Sequence, residues 1–131
     1  MLMNCFLPQD CLNALERNLR PELFKALCDP NRLVLLSRLI LAREPLTVSE
    51  AGQCCGLHIS GVSRHLSLLK RAGAVSSRKS GREVTYQVNS DEIVQTLRGL
   101  ADAIEDCRQV AESGRARRVQ RNQNGESHEV K

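Results

Sequence analysis

Two sets of side chains in this 131-residue chain could do chemistry. The first is six thiols, Cys5, Cys11, Cys28, Cys54, Cys55 and Cys107. Thiolates are soft donors for thiophilic metal and metalloid ions such as As(III), and thiols oxidise to disulfides. The second set is a run of cations without anions. From Ala51 to Arg82 the sequence holds Arg64, Lys70, Arg71, Arg78, Lys79 and Arg82, and not one Asp or Glu. Six positive charges with no counter-charge form a footprint for a phosphate backbone. Elsewhere the balance differs: residues 1–50 carry six basic and six acidic side chains, 83–112 two and seven, and 113–131 five and two. Such segregation sets one face aside for nucleic acid and another for something else.

Composition excludes several classes. With two Phe, one Tyr and no Trp, there are few platforms on which single-stranded bases could stack. The core must come from Leu, Val, Ile and Ala, which suits helices. The length fits one small domain with a tail. No segment is apolar enough to span a membrane, and Met1–Phe6 lacks the basic region and apolar core of a signal peptide. The chain is therefore expected in the cytoplasm, with its cysteines as thiols rather than structural disulfides. No Gly-rich phosphate loop, nucleophile–base spacing or cofactor fingerprint is present, so no enzyme is expected.

The elements that must position these groups are legible from caps and periodicity. Residues 1–8 read as a flexible N-terminus. Pro8 can open a first helix to about Leu19, and Pro21 a second over Glu22–Cys28. Asp29 is a good N-cap, with Pro30 at the first position of a helix whose stripe is Leu33, Leu36 and Ile40. Thr47 with Glu50 forms a capping box for a helix to about Cys55, ended by Gly56. The next helix runs from about Ile59 to Ala72, with Ile59, Val62, Leu66 and Leu69 inward and Ser60, Gly61, Ser63, Arg64, Ser67 and Lys70 outward. Val75–Lys79 and Glu83–Val88 read as strands turning at Ser80-Gly81, with Arg78, Lys79 and Arg82 at the tip. Asn89 or Ser90 then caps a helix to about Ala111, striped by Ile93, Leu97, Leu100, Ile104 and Cys107. That stripe exceeds what a small core needs and could pair with a second subunit. The reading is mainly α with a β-hairpin wing (α+β): a domain over 9–111 and a disordered polar tail over 112–131.

In this order and spacing the chain resembles the ArsR/SmtB family of winged-helix repressors. The residues that carry the resemblance are Leu23-Phe24-Lys25-Ala26-Leu27-Cys28-Asp29-Pro30-Asn31-Arg32-Leu33, then Leu46–Leu57, Val62-Ser63-Arg64-His65-Leu66 with Leu69, and Gly81-Arg82-Glu83-Val84-Thr85-Tyr86. It covers about residues 20–110. The resemblance implies a winged helix-turn-helix homodimer joined through its first and last helices. It implies repression through double-stranded DNA at an operator inverted repeat, relieved by metal binding or thiol chemistry. Carried over by position, Ser60, Gly61, Ser63, Arg64 and His65 would lie at or near the major groove and Arg78, Lys79 and Arg82 on phosphates; Lys70 joins them from the open helix face. One departure is His58-Ile59-Ser60-Gly61, where family members often have Ser-Gln-Pro-Thr. Fewer side chains then reach base edges, which leaves part of the specificity to DNA shape.

The effector is less determined. The family's arsenic/cadmium ligand positions fall here on Thr47 and Ser49, and its zinc positions on Ser90, Glu92, Ala103 and Asp106. Neither set retains enough soft or imidazole ligands. The cysteines remain. Cys54-Cys55 is a vicinal pair that either binds a thiophilic ion with a third thiol or packs as small hydrophobes. Cys5 and Cys11 either complete such a site in a dimer or are incidental. Cys107 either packs or pairs with Cys11 across the dimer interface as a redox couple, and Cys28 is expected to be structural. His58 and His65 read as cap or phosphate contacts. Two alternatives stay open: a repressor of this fold without a small-molecule effector, and a winged-helix module for protein contacts.

Overall fold

The computed structural model describes residues 9–53 and 56–126. Its elements are α1 (Gln9–Asn18), α2 (Pro21–Leu27), α3 (Pro30–Leu41), β1 (Leu46–Thr47), α4 (Val48–Gly52), α5 (Ile59–Arg71), β2 (Val75–Ser80), β3 (Glu83–Val88) and α6 (Ser90–Glu126). Two compact units divide them, Arg20–Thr96 in one and the chain's two ends, up to Leu19 and from Leu97, in the other. No helix among the described residues is long and apolar enough to cross a membrane.

In the Arg20–Thr96 unit, local chemistry starts α3 and α4. The Asp29 carboxylate accepts from the backbone N–H of Asn31 and Arg32 at 2.8 and 3.2 Å, ahead of Pro30. Burial works against the Asp29 charge, but these two N–H groups and the Arg32 cation outweigh it and hold the carboxyl below its usual value. Thr47 and Glu50 form the reciprocal capping box of α4. At the other end of α5, the N–H of Gly73 reaches the Lys70 carbonyl and that of Ala74 the Leu69 carbonyl, a Schellman closure. Gly73 sits at φ +84°, a backbone region that side chains disfavour.

The sheet order is β1-β3-β2, all antiparallel. Strand β1 pairs Leu46 with Tyr86 and Thr47 with Thr85, and is not legible in the sequence because two residues carry no alternation. The wing pairs Ser80 with Glu83, so its turn is Gly81-Arg82, one residue later than expected. Of the two, only Gly81 has positive φ (+64°), the pattern of a type II′ turn. The Asn89 side chain donates to the Gly73 carbonyl at 2.9 Å, which closes the wing against the end of α5.

The core is built on Leu23, Leu35, Val62, Leu66, Leu69 and Val75, each nearly inaccessible to solvent. Several inward assignments are corrected. On α3 the buried residues are Leu35, Leu36 and Leu39, while Leu33 and Ile40 are about half exposed. That helix is apolar on nearly every side, so its periodicity could not choose a face; α2, α5 and β3 packing against it do. Ile59, the first residue of α5, is exposed. On α6 the buried positions are Thr96 and Ala103, while Leu97 and Ile104 of the expected stripe face solvent.

Helices α4 and α5 approach closely at Gly52. A Cβ there would lie 2.8 Å from Val62 Cγ2. Val62 is buried and β-branched, so it has no free rotamer to yield. Gly52→Ala is therefore expected to lower stability by about 1–3 kcal/mol in urea unfolding, despite alanine's better helix propensity. A gain in stability would show that the helices separate freely.

In the other unit, α1 lies against the part of α6 that begins at Leu97. A Cβ on Gly99 would collide with the Asn18 amide, whose Nδ2 donates to the Ala14 carbonyl at 2.8 Å. Of the tail expected to be disordered over 112–131, the residues up to Glu126 continue α6, and 127–131 lie outside the described residues. Periodicity loses its signal near Ala111 because the later residues are polar all round; backbone hydrogen bonding needs no apolar stripe, and Ala, Arg and Gln are good helix formers. The flexible N-terminus expected over 1–8 lies outside the described residues.

Candidate nucleic-acid interface

The candidate interface is the outer face of α5 together with the wing. Helix α5 is capped by His58, whose Nδ1 accepts from the Ser60 N–H at 3.2 Å and lies 2.8 Å from Ser60 Oγ. This cap sets the first turn. Val62, Leu66 and Leu69 then anchor the helix in the core, which turns the remaining positions outward. Ser60, Arg64, Ser67, Lys70 and Arg71 are exposed, and Gly61, Ser63 and His65 are half-buried. No heavy atom among the described residues lies within 4 Å of a Cβ placed on Gly61, so this end of the helix is open for close approach.

In the wing, Arg78, Lys79 and Arg82 are all exposed. Arg78 pairs with Thr85 and Lys79 with Val84. Successive strand residues face opposite sides, so Arg78 and Lys79 present charge on both faces of the ribbon. Among the described residues, none of the six cations from Arg64 to Arg82 forms an ion pair. They are available to an external polyanion at no cost in internal contacts.

Arg71 joins this surface and belongs to the same cationic run, although its spacing did not single it out as a site residue. The structure also gives His65 a second role. Its Nδ1 lies 3.4 Å from Arg32 Nη1. Arg32 donates through Nε to the Ala26 carbonyl at 2.7 Å and through Nη2 to the Lys25 carbonyl at 3.1 Å, and so closes the end of α2. His65 thereby ties α5 to α2 and α3. Separately, Arg20 donates to Glu92 at 2.7 Å and to the Ala72 carbonyl at 3.3 Å, joining the start of α2 to the end of α5 and the start of α6.

The thiols fall into three groups. Cys5, Cys54 and Cys55 lie outside the described residues. Cys28, expected to be structural, is exposed at the C-cap of α2. Cys11 on α1 and Cys107 on α6 are half-buried free thiols, near enough for Cys11 to act on the Cys107 thiol. The two thiols are neighbours within a single chain. The Cys11 side chain, then burial, then nearby Asp106 push the Cys107 thiol up to about 11. Cys107 is thus protonated at neutral pH. Among the described residues no three His, Cys, Asp or Glu side chains converge to hold a metal ion. Thr47 is occupied in its capping box, Glu92 in its ion pair, and Ala103 is buried.

Comparison with known proteins agrees with this geometry. Residues 27–78 match the model of a helix-turn-helix domain. The chain is 34% identical over 101 residues to a probable mercury resistance operon repressor of Streptomyces lividans, covering 72% of this chain and 79% of that protein. It is 34% identical over 85 residues to a transcriptional repressor SmtB homolog of Synechocystis, covering 65% of this chain but only 63% of that protein. Among solved structures, it superposes with a TM-score of 0.53 and 26% identity on the homodimeric winged helix-turn-helix DNA-binding domain of a possible ArsR-family transcriptional regulator from Mycobacterium bovis. That match covers 74% of this chain and 86% of the solved domain.

Proposed function

We propose the following role for this chain, which belongs to the ArsR/SmtB family of winged helix-turn-helix transcriptional regulators: it is a homodimeric repressor of double-stranded DNA, released by a thiophilic ion or by cysteine oxidation. The observation that carries the DNA-binding part is the unpaired cationic surface of α5 and wing, with Arg64, Lys70, Arg78, Lys79 and Arg82 exposed and no ion pair to any of them among the described residues. A two-fold dimer would present two α5 helices to an inverted repeat about one helical turn apart. Ser60, Gly61, Ser63, Arg64 and His65 would face the groove, Lys70 its edge, and the wing cations the flanking phosphates. Support for a dimer comes from the exposed apolar residues Leu97 and Ile104 on α6 and from the homodimeric assembly of the similar solved domain.

Support for a thiol-based effector comes from the neighbouring thiols Cys11 and Cys107 and from the similarity to a probable mercury resistance operon repressor. Hydrogen peroxide would oxidise the pair: two thiols lose two hydrogens, one disulfide forms and two waters leave. One thiol attacks peroxide and becomes a sulfenic acid, and the other displaces water from it to close the disulfide. An As(III)-type ion would instead use Cys54 and Cys55 with a third thiol such as Cys5. To lower DNA affinity a hundredfold, either event must favour the incompetent dimer state by about 2.7 kcal/mol.

The test is fluorescence anisotropy of reduced protein on its own upstream DNA. A salt-sensitive complex that dissociates on adding As(III) or peroxide is expected. C54S/C55S should abolish the As(III) response and C11S/C107S the peroxide response, each with basal binding intact. If both double variants respond as the unmodified protein does, these thiols are not the sensor.

A further inference from the structure

The last third of α6 carries charge that finds no ion-pair partner among the described residues. Arg115, Arg117, Arg118 and Arg121 lie within seven residues, and no Asp or Glu occurs from Ser113 to Gly125. Every residue from Arg108 to Asn124 is exposed. None of the four arginines pairs with a described carboxylate. At 100° per residue they cover roughly half of the helix circumference.

Three ordinary explanations fail. Cations at a helix C-terminus complement the macrodipole, but only within the last turn; the last turn of α6 has no basic residue. An amphipathic helix lying on an anionic membrane needs an apolar face. Opposite the arginines are Ala116, Val119, Gln120 and Gln123, with Val119 the single large apolar side chain. The same shortage removes the buried anchors that a protein interface requires. What remains is a surface of guanidinium groups interleaved with amides. Arginine binds phosphate oxygens in a bidentate fork, and amide side chains are common backbone contacts. No lysine occurs between Lys79 and Lys131, so every cation of this helix is the phosphate-matched type.

We propose that the C-terminal segment of α6, through Arg115, Arg117, Arg118 and Arg121, is a second phosphate-binding surface that engages duplex DNA flanking the operator. This rests on the DNA-binding reading above. The segment from Ser113 to Glu126 is about 20 Å long, enough to follow about six base-pair steps. Contacts there carry no base information and add affinity and salt dependence alone.

The test compares the full chain with its R115Q/R117Q/R118Q/R121Q variant on two duplexes from its upstream region. One ends at the inverted repeat; the other extends it by about one and a half helical turns on each side, ~15 base pairs. Glutamine keeps helix propensity, and circular dichroism checks it. Unmodified protein should bind the extended duplex at least tenfold more tightly than the short one. The variant should lose that gain and its steeper salt slope, which shrinks by about 0.9 per lost contact. On the short duplex the two proteins should be equal. Equal slopes on the extended duplex overturn the proposal while leaving the operator reading intact. Failure of unmodified protein to bind either duplex overturns both.

Discussion

Replacing Arg78, Lys79 and Arg82 together by glutamine is expected to cut DNA affinity on the order of a thousandfold at physiological salt. Each protomer then loses three wing cations, and a homodimer six. The slope of log affinity against log salt should flatten by about 0.9 per contact, so by about five in all. Stability should hardly change, because all three side chains are exposed and none forms an ion pair among the described residues. Arg64→Ala makes the contrast. On the face of α5 proposed to meet the groove, it should relax discrimination between sequences by about 1–3 kcal/mol while altering the slope by little. A wing variant that keeps both affinity and slope would remove the hairpin from the interface and leave α5 to account for binding alone.

Leu66→Ala is expected to cost about 2–5 kcal/mol of folding stability. Leu66 has no exposed surface and lies in one cluster with Leu23, Leu35, Val62 and Leu69. Truncation leaves a cavity at the point where α5 is held to the rest of the domain, and the neighbours are themselves fully buried and cannot collapse into it. Set against a total stability of about 5–15 kcal/mol, such a loss leaves a substantial unfolded fraction on warming. Ile59→Ala provides the comparison on the same helix. Ile59 is 52% exposed, so its truncation should cost less than about 1 kcal/mol. Urea midpoints for the two variants measure the difference. Equal losses would mean that α5 is rotated from the orientation described.

Much of the candidate site is legible in the sequence. The capping residues Asp29 and Thr47 and the turn glycines Gly73 and Gly81 act over five residues or fewer along the chain, and the cation-only run is a matter of composition. Their chemistry is therefore written in local spacing. The exposed positions Ser60, Arg64, Ser67 and Lys70 follow from the core spacing of Val62, Leu66 and Leu69 on the same helix. Where nearly every side of a helix carries an apolar residue, as from Leu33 to Leu41, local spacing loses its power. Leu33 and Ile40 fit an inward stripe by spacing, and only the packing of α2, α5 and β3 selects Leu35, Leu36 and Leu39 instead.

By itself the sequence determined where α3 and α4 start, that a hairpin turns near Gly81 and where cationic charge concentrates, because each is read from residue types and short separations along the chain. Tertiary structure alone decided the partners that lie far apart in the chain. It placed β1 against β3, set His65 beside Arg32, and made Cys11 a neighbour of Cys107. Such pairings follow from how apolar faces exclude water and from how closely helices approach, and neither quantity is stored at any single position.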